Sequence, residues 1–132
     1  MEHRKNTLYR QLCDRDIDCV EFEVDFPNGY PYEPPFVRVL YPRFAYRTGH
    51  ITLGGSICNQ LLSRAYWSPA LTLDKVLLDI VTNITNCVDD PEFTKSGRLD
   101  DTNWRRRYTK KEAVDAHTRM LATHKFDWEI GT

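Results

Sequence analysis

The sequence predicts an α+β fold in which a small antiparallel sheet is flanked by helices. From Cys19 to Phe26, apolar and acidic residues alternate, which is typical of a half-buried strand. Between Leu73 and Ile84, apolar residues recur at helical spacing, which predicts an amphipathic helix. The chain has 132 residues, the size of one ordinary domain, so we expect residues 1–132 to form a single domain.

The charge balance argues against two classes of partner. With 18 basic and 19 acidic residues the net charge is -1, so no strong field attracts nucleic acid or a membrane surface. The basic run 105–107 stands beside Asp100 and Asp101, which favours a solvated surface over a nucleic-acid site. No apolar run is long enough to span a membrane, and residues 1–6 contain no apolar signal core. We therefore expect no membrane association and a cytoplasmic or nuclear location.

Two strands and a rigid loop account for the first part of the chain. In the strand from Cys19 to Phe26, the apolar residues, Phe26 included, share one face, and the acidic residues form a solvated opposite face. Asn28-Gly29 indicates a turn, and the prolines of the segment from Tyr30 to Pro35 predict a rigid loop. The segment from Phe36 to Tyr41 predicts a second strand, antiparallel to the first.

Loop chemistry follows the second strand. Thr48-Gly49-His50 and Gly54-Gly55 are typical of loops, and Cys58 closes the second of them. Near the start of the chain the periodicity is weak, so a further strand over residues 6–12 stays an open alternative.

Two helices are predicted in the second half. Thr72 is a candidate N-cap for a helix that runs to about Thr85. Thr109 and Glu112 form a capping box at the start of a last helix, which runs to about His124. The inward face of this last helix is predicted to comprise Ala113, His117, Met120 and Leu121.

The four cysteines are Cys13, Cys19, Cys58 and Cys87. Their spacing contains no pair typical of a zinc site, and without a secretory context a disulfide scaffold is not expected. We expect no metal, and we expect Cys13, Cys19 and Cys87 to be buried packing residues. Cys58 differs because it lies among other distinctive motifs.

Three motifs stand in a fixed order ahead of the first predicted helix. They are Tyr30-Pro31-Tyr32-Glu33-Pro34-Pro35, Gly55-Ser56-Ile57-Cys58 and Trp67-Ser68-Pro69. In this order and spacing they resemble the catalytic domain of ubiquitin-conjugating enzymes, over residues 19–85. Pro34-Pro35-Phe36-Val37-Arg38-Val39, the glycine pair before Ser56, and a last helix flanked by Tyr108 and Trp128 are most similar to the Q class of that family. The resemblance implies a cis bond between Tyr30 and Pro31.

The sequence departs from the family pattern in two places. Most members begin with a long helix that contacts the activating enzyme, and here that helix is expected to be missing or truncated. Most members also carry His-Pro-Asn upstream of the cysteine, with Asn eight residues before it. Here that triplet reads Thr48-Gly49-His50.

The resemblance implies a chemistry and a set of site residues. Cys58 would accept the C-terminal carbonyl of ubiquitin from an activating enzyme as a thioester, and would pass it to a substrate lysine or a ligase. His50 would take the place of the asparagine that stabilises the oxyanion. Tyr32, Pro69 and Ala70 would contact ligases, and Asp89 and Asp90 would orient the lysine. Ubiquitin, the activating enzyme and ligases are the implied partners. No cofactor is implied, because the activating enzyme consumes the ATP.

Several alternatives stay open at this point. His50 has an equal case as a loop-stabilising residue, and Tyr32, Pro69 and Ala70 have an equal case as packing and turn residues. Asp89 and Asp90 also fit a solvated turn. For the whole chain the alternatives are a catalytically silent variant that binds ubiquitin or ligases, and a hydrolase built on Cys58 and His50.

Overall fold

A computed structural model describes residues 7–86 and 96–125 of the chain. Its elements are, in chain order, helix α1 (Thr7–Asp14), strands β1 (Glu21–Asp25) and β2 (Phe36–Tyr41), a short 3-10 helix (Gln60–Leu62), and helices α2 (Leu73–Asn86) and α3 (Lys110–Lys125). Both predicted strands and both predicted helices are confirmed. Together these elements form the expected α+β fold.

Helix α1 replaces the strand considered for residues 6–12, so that alternative is wrong. Leu8 and Leu12 lie four positions apart, which places both on the helix face that packs against the core. The Gln11 side-chain oxygen accepts a hydrogen bond from the backbone N–H of Leu99 at 2.8 Å. Within the described residues the helix has 8 residues, which is consistent with the expectation that the long first helix of the family is missing or truncated here.

The two strands form an antiparallel sheet whose apolar face lies toward α2. Phe22 of β1 lies opposite Val39 of β2. Val37 and Val39 are 2% and 0% exposed, and they belong to the same buried cluster as Val76 and Ile80 of α2. Burial of this apolar stripe, which the periodicity predicted, is what holds α2 to the sheet.

The acidic face of β1 is exposed to solvent, as predicted, and its carboxylates also pair with basic groups. The ion pairs are Glu21 with Arg107 at 3.1 Å, Glu23 with Arg38 at 2.9 Å and Asp25 with Lys110 at 2.9 Å. Arg38 comes from the neighbouring strand and Lys110 from the first residue of α3. These cations come from other segments, so the alternation within β1 could not reveal them.

Phe26 departs from its prediction. It lies just beyond β1, is 53% exposed, and its ring packs edge-on against Tyr30 at 4.7 Å between centroids. The alternation of the strand ends at Asp25, so Phe26 does not share the buried face.

Helix α3 packs against Phe36 at the start of β2 and against Gly54. It begins with the predicted capping box: Thr109 N–H donates to Glu112 at 2.9 Å, and Glu112 N–H donates back to the Thr109 hydroxyl at 3.2 Å. The rings of Phe36 and His117 lie 5.1 Å apart, edge to face. A methyl group added at Gly54 would collide with the carbonyl oxygen of Glu112, so the α3 backbone rests directly on this glycine.

Cys13 and Cys19 are both exposed, so the prediction that they are buried packing residues is wrong. Cys13 comes directly after the inward-facing Leu12 and so faces away from the core. Cys19 lies two positions before Glu21, so both point to the outer side of the chain. Cys87 lies outside the described residues. Within residues 7–86 and 96–125, no helix has the length and apolar character needed to cross a membrane.

Candidate functional site

A tight hairpin spanning residues 50–58 positions Cys58. Ile51 and Ile57 form an antiparallel bridge, and Thr52 N–H donates to the Ser56 carbonyl at 2.8 Å. The hydroxyls of Thr52 and Ser56 are hydrogen-bonded at 2.7 Å. Ser56 is 1% exposed, so the arm of the hairpin that leads to Cys58 is buried and held by the residues packed around it.

Gly55 attaches this hairpin to the sheet. Its φ of 96° is open to glycine and strained for other residues, and an added Cβ would lie 2.6 Å from Cγ of Tyr108. The Gly55 carbonyl accepts from Val39 N–H at 2.8 Å, and Ile57 N–H donates to the Val37 carbonyl at 3.0 Å. The second arm of the hairpin therefore extends the sheet beyond β2, and Cys58 emerges at its end.

His50 faces Cys58 across the base of the hairpin. Cys58 N–H donates to the His50 carbonyl at 2.7 Å. His50 and Gly49 both have left-handed backbone, with φ of 57° and 66°, and this reverses the chain into the first arm. The two residues that the sequence singled out are therefore neighbours in space.

Both side chains are half-buried, and burial shifts their pKa values. Burial raises the pKa of the Cys58 thiol. Burial lowers the pKa of His50, while the negative charge of Asp79 acts in the opposite direction and more weakly. At neutral pH the thiolate is thus a minor form, and its fraction increases with pH.

Asn59 links the cysteine to α2 and was missed by the sequence analysis. Its side-chain oxygen accepts from Leu61 N–H at 2.9 Å, which caps the short 3-10 helix. Its amide nitrogen donates to the Asp79 carboxylate at 2.9 Å. Asn59 is 6% exposed, so its side chain is largely shielded from water. An asparagine ahead of a helical turn signals a cap, but no local pattern pairs it with Asp79.

Two exposed loops are joined by a hydrogen bond. The indole N–H of Trp67 donates to the Pro31 carbonyl at 2.7 Å, which ties the proline loop to the segment before α2. Tyr32 is 80% exposed, and Pro69 and Ala70 are exposed as well. The Tyr30-Pro31 bond is cis, as the resemblance implied.

A family model for ubiquitin-conjugating enzymes matches residues 6–121, which include the hairpin, Cys58, both loops and most of α3. The chain belongs to the ubiquitin-conjugating enzyme family.

The relatives of this ubiquitin-conjugating domain confirm its similarity to the Q class. Ubiquitin-conjugating enzyme E2Q-like protein 1 of Homo sapiens is 26% identical over 126 residues, covering 95% of this chain and 73% of that protein. A ubiquitin-conjugating enzyme E2Q-like protein of Drosophila melanogaster is 25% identical over 126 residues, covering 92% of this chain and 37% of its own length. Ubiquitin-conjugating enzyme E2 Q1 of Homo sapiens is 35% identical over 63 residues, covering 48% of this chain and 14% of that protein. The chain thus spans under half the length of two of these three relatives.

The structure brings the expected site residues into two groups. Cys58 and His50 meet at the hairpin, and Tyr32, Pro69 and Ala70 lie on the two loops joined through Trp67. The exposure of Tyr32 argues against a packing role for it. Asp89 and Asp90 lie outside the described residues, so their role as lysine-orienting groups stays a prediction.

Proposed function

We propose that this domain is an active ubiquitin-conjugating enzyme whose Cys58 carries ubiquitin as a thioester. The observation that carries the proposal is the position of Cys58: it follows a hairpin fixed to the sheet, its backbone is held by His50, and its side chain is only half-buried. A nucleophile that must meet a polypeptide terminus needs this combination of fixed backbone and accessible sulfur.

The transfer proceeds in two steps. In the first, the Cys58 thiolate attacks the thioester carbonyl held by the activating enzyme, and the thiolate of that enzyme leaves. In the second, a neutral lysine amine attacks the carbonyl held on Cys58, the carbon–sulfur bond breaks, and the amine proton passes to solvent. Alternatively, a ligase cysteine takes the acyl group by thioester exchange.

His50 stabilises the oxyanion of the second step in this proposal. The His50 carbonyl binds Cys58 N–H, which makes the two residues neighbours, and a ring N–H is a suitable donor to a developing negative charge. Tyr32, Pro69 and Ala70 form the ligase-binding surface, since they are exposed on loops that Trp67 joins. Ubiquitin, an activating enzyme and ligases are the partners, in the cytoplasm or nucleus.

A second candidate is a catalytically silent member that binds ubiquitin or a ligase. The missing His-Pro-Asn triplet favours it, as does the burial that raises the pKa of the Cys58 thiol. A charging assay separates the two functions. The full chain is incubated with activating enzyme, ATP and ubiquitin, and adducts are separated with and without a thiol reductant.

We expect one ubiquitin to be attached in a bond that the reductant cleaves, and Cys58→Ala to abolish it. Cys13→Ala and Cys19→Ala are matched controls, because both remove an exposed thiol far along the sequence from the hairpin. Both controls should charge as the wild type does. Absence of any adduct from the wild-type chain would establish the silent variant instead.

A further inference from the structure

The Asp79 carboxylate on α2 faces the protein, although aspartate side chains usually face solvent. Its side chain is half-buried, whereas the adjacent Leu78 is 66% exposed. Aspartate is a poor residue for the middle of a helix and is rarely buried without a partner. The apolar neighbour thus faces solvent while the carboxylate faces the protein, which indicates a specific role for the carboxylate.

The partner of Asp79 is the residue that follows the nucleophile. Asp79 Oδ2 accepts a hydrogen bond from Asn59 Nδ2 at 2.9 Å, and Asn59 is 6% exposed. A hydrogen bond to a carboxylate is among the stronger ones, particularly where water is excluded. The Cys58–Asn59 segment is therefore anchored to α2 on one side and to His50 on the other.

The bond from Asn59 brings the Asp79 carboxylate beside the segment whose Cys58 N–H binds the His50 carbonyl, so its negative charge lies on the same side of the fold as His50. Burial lowers the pKa of His50, and the Asp79 charge opposes that effect. From the second arm of the hairpin, His50 is faced by Cys58, a thiol whose own pKa is raised by burial. Gly49 precedes His50, and a Cβ added to it would have Gly97, Ile51 and Ile84 as its nearest neighbours. All three are uncharged residues.

We propose that Asp79 is a positioning residue for discharge of ubiquitin from Cys58: it anchors the segment after the cysteine and stabilises the protonated ring of His50. The inference rests on the proposed function. An imidazolium donates a stronger hydrogen bond to an oxyanion than a neutral ring does. Discharge runs through the fraction of the protein in which His50 is protonated, and the Asp79 charge enlarges that fraction.

The test compares the full wild-type chain with Asp79→Asn, which retains an oxygen acceptor for Asn59 but removes the charge. Asp74→Asn is the matched control, because it makes the same charge change on the same helix, where Asp74 interacts with Thr72. The first measurement is the titration of His50 followed by NMR. We expect Asp79→Asn to lower the pKa of His50 and Asp74→Asn to leave it unchanged.

The second measurement is single-turnover discharge of ubiquitin from Cys58 to free lysine. We expect Asp79→Asn to slow discharge about tenfold, as a charge-assisted donor becomes a neutral one, and to leave charging unchanged. In a His50→Ala background the Asp79→Asn change should have no further effect on discharge.

Two results would overturn the inference: an unchanged His50 titration in Asp79→Asn, or an equal slowing of discharge in the His50→Ala background. Failure of the proposed function gives a different result, because the wild-type chain would then form no thioester at all. The titration would still decide whether Asp79 acts on His50.

Discussion

At the scale of single residues, His50 carries two separable properties. Its left-handed backbone, with φ of 57°, turns the chain into the hairpin, and its ring is the donor proposed for the oxyanion. Asparagine tolerates left-handed backbone better than most residues and offers an amide donor. His50→Asn therefore retains both properties, whereas His50→Ala retains neither in full.

We predict that His50→Ala still accepts ubiquitin on Cys58 but discharges it to free lysine about 100-fold more slowly, the usual cost of losing one oxyanion donor. His50→Asn should recover a large part of that rate. Single-turnover discharge of the purified thioester measures both variants. Unchanged discharge in His50→Ala would remove His50 from the mechanism and leave it a loop-stabilising residue.

At the scale of elements, a buried cation helps to attach α3 to the core. Arg43 is 6% exposed and forms an ion pair with Glu112. Its Nη2 donates to the Glu112 carboxylate at 3.1 Å, and its Nε donates to the Arg106 carbonyl at 3.0 Å. Glu112 also accepts from Thr109 N–H at 2.9 Å, so the same carboxylate caps the helix. These bonds, that with Arg43 foremost, lower the pKa of Glu112 from 4.5 to about 2.

We predict an acid-sensitive stability that depends on Glu112. Because the pKa of Glu112 is lowered by folding, its contribution is complete above pH 4.5 and is lost as the pH falls toward 2. Glu112→Gln should cost about 2–3 kcal/mol at neutral pH, since glutamine preserves the capping box but leaves Arg43 buried without a counter-charge. Chemical denaturation at several pH values measures this.

The control for this prediction is Asp115→Asn on the same helix. Asp115 pairs with Lys111, whose side chain is 87% exposed, so we expect its loss to cost less than about 0.5 kcal/mol. Equal effects of the two substitutions, or a Glu112→Gln variant as stable as the wild type, would contradict the role assigned to the Arg43–Glu112 pair.

Local patterns explain which elements could be predicted. The alternation of β1, the apolar stripe of α2 and the capping box of α3 each lie within a few consecutive residues, and each is confirmed. The short α1 was missed because Leu8 and Leu12 share a face in a strand as well as in a helix, and only packing against the core decides between them.

Contacts between distant segments could not be predicted. The Asn59–Asp79 bond joins residues 20 positions apart, and Arg43 lies 69 positions before Glu112. Both depend on how the helices cover the sheet. The family motif was enough to identify Cys58 and His50 as site residues. Asn59 and Asp79, which support them through a contact between distant segments, could be identified only from the structure.

At the scale of the whole molecule, the hairpin that carries Cys58 is held by both α2 and α3. Asn59 connects it to Asp79 of α2, and Gly54 lies directly against the backbone of Glu112 in α3. The sheet itself supports the hairpin through Gly55 and Ile57. The cysteine is thus fixed relative to the entire fold, as expected for a group that receives and passes on a large acyl chain.

The most direct test of this account is to trap the acyl group on the residue at position 58. In Cys58→Ser, charging with activating enzyme, ATP and ubiquitin should yield an oxygen ester that resists thiol reductants and is cleaved by alkali. Peptide mapping by mass spectrometry should then locate the ubiquitin C-terminus at position 58. Ubiquitin found instead on Cys13 or Cys19, or no ester on any residue, would contradict the central claim that this sulfur is the carrier.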